Sequence, residues 1–317
     1  MKKFFVILSV SLILLLNISC TLFKTEKMES SIYILDWEKE AVYTIDSLFQ
    51  IGTTPLLITG SAPTDVYVDD GNIYITNSGF GGIPTIEKFD LSGNKIAQIE
   101  RGELSSPAYI EGNQDYIFVT DWLSNSILKI EKKNFSIVDS LSVTAPQEVV
   151  YRDGFLYVGS NNTSLNGHIY KISEDFKNLE TDLAKGSNPS YLDLDENNQI
   201  YVSLVGNYND IKGKIKKVKD GVDVDSLGFD NFLGKVKVVE DKIFITDIYN
   251  KLYILDSDLN LIKTIEIPSP SDIEYFKGKV VVSTNVGKLY LIDFSELTLV
   301  DSLSYEIPLK VAEMFVK

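Results

Sequence analysis

Pro63-Thr-Asp-Val-Tyr-Val-Asp-Asp-Gly-Asn-Ile-Tyr-Ile-Thr-Asn77 is one complete phrase. A proline opens a short apolar strand, an Asp/Asn/Gly turn reverses the chain, and an aromatic-rich strand returns. The phrase recurs as Pro107…Tyr-Ile-Phe-Val-Thr-Asp121, Pro146…Phe-Leu-Tyr-Val-Gly-Ser160 and Pro189…Gln-Ile-Tyr-Val-Ser-Leu204. Two further copies are Leu233…Lys-Ile-Phe-Ile-Thr-Asp247 and Pro270…Lys-Val-Val-Val-Ser-Thr284. Successive openings lie roughly 37 to 44 residues apart, the spacing of four-stranded propeller blades. Val66, Val68, Ile73 and Ile75 alternate with polar or aromatic positions, and Val, Ile, Tyr and Phe dominate the segments, as strands require.

The two ends of the repeat region complete one another. Ile307–Val316 reads as the opening strand of a seventh copy, and Ile32–Asp36, Ala41–Ser47 and Pro55–Ile58 supply its other three strands. The expectation is an all-β, seven-bladed β-propeller over residues 31–317, its ring closed by a C-terminal strand that joins three N-terminal ones. The alternative, an open six-blade solenoid, would leave sheet edges unpaired.

Residues 1–19 have the form of a secretory leader: Lys2 and Lys3, then an apolar run from Phe4 to Ile18 that is short for a membrane span. The run ends at Cys20, the sole cysteine, so no internal disulfide can form. Leu16-Asn17-Ile18-Ser19-Cys20 resembles a bacterial lipoprotein signal, which departs from the usual pattern at Asn17. The resemblance implies cleavage before Cys20, lipidation of its thiol, a polar tether over 20–30 and membrane attachment in the cell envelope. An ordinary signal peptide that happens to contain cysteine is the alternative. The formal net charge of −15 falls to −17 once Lys2 and Lys3 leave with the leader. Such a surface repels phosphate backbones and anionic headgroups, which argues against nucleic acid and assigns membrane attachment to the lipid. A monomer is expected.

Propeller geometry gathers the residue two places after each opening position at the pore: Asp65, Tyr109, Glu148, Tyr191, Lys235, Asp272 and Lys310. Glu148 between the phenols Tyr109 and Tyr191 forms a candidate recognition arc; a pore plugged by water and hydrogen-bonded side chains is the ordinary alternative. Trp37 and Trp122, the only tryptophans, both follow an Asp at the end of the second strand, so they share a rim. There they would stack on a sugar or grip a peptide, although such residues more commonly pack between blades. The long loops Asn77–Pro84, Ser160–Gly167 and Leu204–Gly213 suggest off-centre binding.

Enzyme chemistry finds little support. His168 is the only histidine, no nucleophile or phosphate-loop motif is present, and sites built on several His or Cys ligands are excluded by count. Calcium needs only oxygen ligands. Asp36, Asp121 and Asp247 recur at one blade position, but on blades spread round the ring.

Ile-Tyr-Ile-Thr-Asn (73–77), Ile-Phe-Val-Thr-Asp (117–121), Leu-Tyr-Val-Gly-Ser (156–160) and Ile-Phe-Ile-Thr-Asp (243–247) carry a family resemblance. The strands Ile86–Asp90, Ile127–Glu131, Leu252–Asp256 and Leu289–Asp293 add an Ile/Leu-rich pattern ending in Asp or Glu. The repeat resembles the YVTN/YncE-like β-propellers, related to surface-layer and NHL-type repeats, over residues 31–317. The resemblance implies an architecture shared by binders and some calcium-dependent lactonases, and it supplies no catalytic residue to carry over. The reading is therefore a lipid-anchored binding propeller with an envelope protein or small ligand as partner. A calcium-dependent lactonase-like hydrolase and an envelope assembly scaffold stand as alternatives.

Overall fold

The computed structural model describes residues 31–69, 71–100, 102–160, 167–180, 183–304 and 311–317. All regular structure among them is β, arranged as seven antiparallel sheets. Strands are lettered a to d from the central channel outwards. Blade 1 comprises Pro63–Val68, Asn72–Asn77, Thr85–Asp90 and Lys95–Ile99. The next five blades open at Pro107, Pro146, Pro189, Leu233 and Pro270. In blade 3 the outer edge is two short pieces, Leu179–Glu180 and Lys185–Gly186. The seventh blade takes Val311–Val316 as strand a against Ile32–Asp36, followed by Ala41–Ile45 and Leu57–Ile58.

Strand b explains why no blade is self-sufficient. From its second residue onward it is buried throughout in blades 1, 2, 3, 5 and 6, and Ile32–Asp36 and Ile200–Leu204 are buried along their whole length. A strand with one wet face would alternate in exposure; here each face packs on a different neighbouring blade. Seven apolar clusters result, one at each blade junction. The split blade takes part in two of them. Ile32, Ile34 and Met314 pack on Phe276, Val281 and Leu289 of blade 6, while Tyr33, Leu35 and Val42 pack on Val66, Ile73 and Phe89 of blade 1.

Strand a carries an irregularity at the same place in all seven blades. In blades 1 to 6 the ladder shifts just after the opening residue, between Pro63 and Asp65 in blade 1 and between Leu233 and Val236 in blade 5. Proline has no N–H to continue the ladder, and the bulge turns the next residues toward the channel. In the seventh blade the shift falls between Leu35 and Asp36, with Asp36 opposite Val311. Val311 thus fills the place of the opening proline.

Lysines from strand c cross the blade junctions. Lys88, Lys129 and Lys217 donate through Nζ to the carbonyls of Lys132, Glu174 and Ser257, at 2.8, 2.8 and 2.7 Å. These acceptors lie at the c–d turn of the following blade. The Lys129 ammonium also stands 4.1 Å from the Tyr116 ring centroid.

Since Val311–Val316 completes two apolar junctions at once, a chain ending at residue 310 should lose cooperative unfolding and elute as an expanded or associated species. Thermal denaturation and size-exclusion chromatography check this. An unchanged transition would show that the seventh blade does not need its inner strand.

Candidate functional site

Two layers of side chains from strand a line the channel. The residues two places after the opening position are Asp65, Tyr109, Glu148, Tyr191, Lys235, Asp272 and Glu313. Lys310, expected in this layer, lies outside the described residues, and its anticipated place is taken by Glu313, three residues on. Two places deeper stand Glu111, Asp193, Lys237, Glu274 and Phe315, around a cavity of about 200 Å³. Seven carboxylates thus share the channel with two lysines.

Four of those carboxylates accept a backbone N–H from the next blade. Asp65 accepts from the Ile110 N–H at 2.8 Å, Glu148 from Leu192 at 2.7 Å, Asp193 from Val238 at 2.8 Å and Asp272 from Met314 at 2.7 Å. In each case the donor is an inner-strand amide of the next blade. These amides face the axis and have no further strand to pair with, so the carboxylates satisfy donors that would otherwise be stranded.

Lys235 occupies the anticipated recognition arc. Its ammonium donates to Glu148 at 2.7 Å and to Glu313 at 2.8 Å, bridging blades 3 and 7 from blade 5. The same nitrogen lies 5.3 Å from the ring centroids of both Tyr109 and Tyr191. The structure therefore brings Tyr109, Glu148, Tyr191 and Lys235 together, with the lysine filling the space between the phenols. Lys237 pairs with Glu274 at 2.8 Å in the deeper layer.

Burial dominates the protonation of this channel. It pushes Asp65 up to about 7, against the pull of Lys235 and two backbone N–H groups, and it pushes Glu111 up to about 8. Glu148 and Glu274 are also raised by burial. Glu313 is raised well above the usual range by burial and by neighbouring Asp272. Burial works against the Lys235 charge, but Glu148 and Glu313 outweigh it and hold the ammonium firmly protonated.

At the mouth of the channel, on the face of the b–c loops, lies a second and open feature. Trp37, Phe80 and Trp122, from blades 7, 1 and 2, wall a groove of about 560 Å³ whose inner end is Tyr109, with Gln147 of blade 3 beside it. Trp37 is 46% exposed, Trp122 42% and Phe80 91%. The tryptophans thus stand at the rim in an open groove instead of being sealed between blades.

The recurring aspartates brace the loops around them, and the Trp122 N–H itself donates to the Ser106 carbonyl at 3.0 Å. Asp36 Oδ1 accepts the N–H groups of Glu38 and Lys39, at 2.9 and 2.6 Å. Asp121 accepts those of Ser105 and Ser106, at 2.8 and 2.7 Å. Asp247 Oδ1 likewise accepts from Tyr249, Asn250 and Lys251. All three residues are fully buried; Asp36 and Asp247 hold their own turns, Asp121 reaches back to the loop that precedes strand a, and Asp247 also accepts from Asn231 Nδ2 at 2.6 Å. Among the described residues no three His, Cys, Asp or Glu side chains are grouped to hold a metal ion.

Phe80 escaped the sequence reading because it belongs to no strand repeat. Its loop is tied by Ser78 N–H to Ala62 O at 2.9 Å and by Gly79 N–H to Ser61 O at 3.1 Å. Gly79 has φ +69°, and a Cβ there would meet the Pro84 nitrogen at 2.2 Å. The run of small residues flanking Phe80 was the available signal.

No family model matches this chain, and no curated protein does. Solved structures resemble its fold. A chain of a nidogen/laminin complex aligns with TM-score 0.59 at 14% identity, covering 90% of this chain and 98% of that one. Kuenenia stuttgartiensis hydrazine synthase aligns with TM-score 0.66 at 11% identity, covering 76% and 86%. The computationally designed Ika8 protein aligns with TM-score 0.63 at 10% identity, covering 91% of each.

The raised acids fix the sign of the pH response. A carboxyl whose folded pKa exceeds its unfolded one takes up protons on folding, so stability falls as pH rises between the two values. For Asp65 and Glu111 that window runs from about pH 4 to about pH 8. The melting temperature should therefore be higher at pH 5 than at pH 8.5, and Glu111→Gln should flatten the slope. A profile rising across that interval would contradict the burial argument. Lys235→Met should cost about 3 kcal/mol at neutral pH, because it leaves buried carboxylates without their cation. Its deficit should shrink toward pH 5, as read by denaturant titration at both pH values.

Proposed function

We propose that this chain is an envelope lipoprotein whose propeller is a binding module, with its site in the Trp37–Phe80–Trp122 groove at the channel mouth. The observation that carries this reading is the groove itself: three large aromatic side chains from three successive blades, exposed together at one rim. Ordinary surfaces scatter such residues, and an exposed cluster marks a recognition site. In this reading the channel is structural: Lys235 and the carboxylates close the axis and hold the ring, while Tyr109 forms the floor of the site.

The remainder follows the sequence. Residues 1–19 are removed, Cys20 carries lipid, 20–30 form the tether and 31–317 present the groove as a YVTN/YncE-like module, monomeric and outside the cytoplasm. The Leu16–Cys20 segment and the repeat phrases support this assignment. The acidic surface disfavours nucleic acid as partner.

A screen of neutral aromatic and aliphatic fragments by ligand-observed NMR should return binders that Trp37→Ala and Trp122→Ala each weaken by about tenfold, with the melting temperature unchanged. Hits indifferent to both substitutions would place binding elsewhere. Metabolic labelling with an alkyne palmitate should tag the wild-type chain and leave Cys20→Ser unlabelled; label on the variant would refute the anchor.

A further inference from the structure

The outermost strands carry a repeat of their own. Strand d of blades 2, 4 and 6 contains Val138-Asp-Ser-Leu141, Val224-Asp-Ser-Leu227 and Val300-Asp-Ser-Leu303. The copies are in register: the ladder to strand c skips the valine in each, leaving Asp139, Asp225 and Asp301 opposite Lys129, Lys217 and Leu291. Each aspartate Oδ1 accepts the N–H of the serine that follows it, at 2.8, 2.7 and 2.7 Å. Ser140, Ser226 and Ser302 are exposed, as are the aspartates before them. A fourth Asp-Ser-Leu, at 46–48, lies on the turn that leaves strand c of blade 7, with Leu48 75% exposed.

Neither packing nor the fold asks for this triplet. The same bulge forms without it in blades 1 and 5, where Ile96-Ala-Gln-Ile99 and Ile262-Lys-Thr-Ile265 take its place. Similarity between whole blades does not account for it either. Strand c of blade 5, Lys251-Leu-Tyr-Ile-Leu-Asp256, closely matches that of blade 6, Lys288-Leu-Tyr-Leu-Ile-Asp293, yet only blade 6 has the triplet. In blade 7 it stands on a turn instead of a strand. The four copies share a local sequence and an outward position, which is what an enzyme acting on a linear signal reads. Strand d pairs with strand c alone, so its other edge is open to a reader of extended chain.

The chemistry narrows what would be attached. The aspartate already occupies the serine N–H, which leaves the hydroxyl as the group to be derivatised. Phosphate would set a dianion beside a carboxylate in a chain of formal charge −15, whereas a neutral group meets no such repulsion. Open strand edges are commonly guarded by lysine. The d strands of blades 1 and 5 carry Lys95 and Lys263, but the three with the triplet carry no lysine. A bulky, hydrophilic sugar would guard those edges instead.

We infer that Ser140, Ser226 and Ser302, and Ser47 with them, are sites of O-glycosylation by a neutral sugar, with Asp-Ser-Leu as the signal. The reaction takes a diphosphate-activated sugar and a transferase. Serine Oγ bonds to the anomeric carbon, the bond from that carbon to the diphosphate oxygen breaks, the diphosphate leaves with the electron pair, and the enzyme takes the hydroxyl proton. The test is peptide mass spectrometry of the full chain purified from its native cells, with electron-transfer fragmentation to locate each group. Sugar should appear on the four serines and on neither Ser136 nor Ser142, which are exposed on the same strand as Ser140. Asp139→Asn should strip Ser140 alone and leave Ser226 and Ser302 modified. Bare serines at all four sites, or phosphate in place of sugar, would overturn the inference. Sugar on Ser136 and Ser142 as well, or retained on Ser140 in Asp139→Asn, would make exposure the criterion and refute the triplet.

Discussion

Burial of strand b on both faces is the constraint from which the rest follows. A sheet with one wet side could fold alone, but these blades must each find two neighbours. The demand propagates round the ring and is met only when Val311–Val316 lies beside Ile32–Asp36. Cohesion is thus spread over seven junctions, and no single core dominates. The cross-blade lysines and four of the channel carboxylates repeat the theme in polar form, because each satisfies a backbone group of the next blade.

The channel shows how a fold can place ionisable groups where chemistry would be sought and still use them for construction. A carboxylate two residues after the opening position meets an amide one blade away, and the geometry recurs at Asp65, Glu148 and Asp272. The result is an excess of buried acid over base, softened by proton uptake and by one lysine shared between Glu148 and Glu313. The groove beside it is walled mainly by exposed aromatic rings, which is why recognition is proposed there.

The architecture was legible because its signal is repetitive: the opening proline, the turn and the aromatic return strand recur in register. The inner-strand positions followed from the same period. Legibility failed where repetition did. The closing blade has Pro308 nearby but uses Val311 at the opening place, so the projected pore residue shifted to Glu313. The role of Lys235 could not be read either, since its partners come from blades 3 and 7 and depend on a long side chain crossing the axis. Trp37 and Trp122 were visible as equivalents, yet their exposure depends on how the neighbouring loops stand back. Phe80 lies in a loop whose shape comes from Gly79 and hydrogen bonds to Ser61 and Ala62.

The pairing of Ser31 with Lys317 has a mechanical consequence. Any load carried by the preceding residues enters the propeller along the axis of Ile32–Asp36, a strand flanked on both sides by antiparallel partners. Ladder hydrogen bonds run perpendicular to the strand, so such a pull strains both ladders in shear, all rungs together, instead of peeling them one at a time. A pull on the residues before Ile32 would thus meet a joint suited to resist tension.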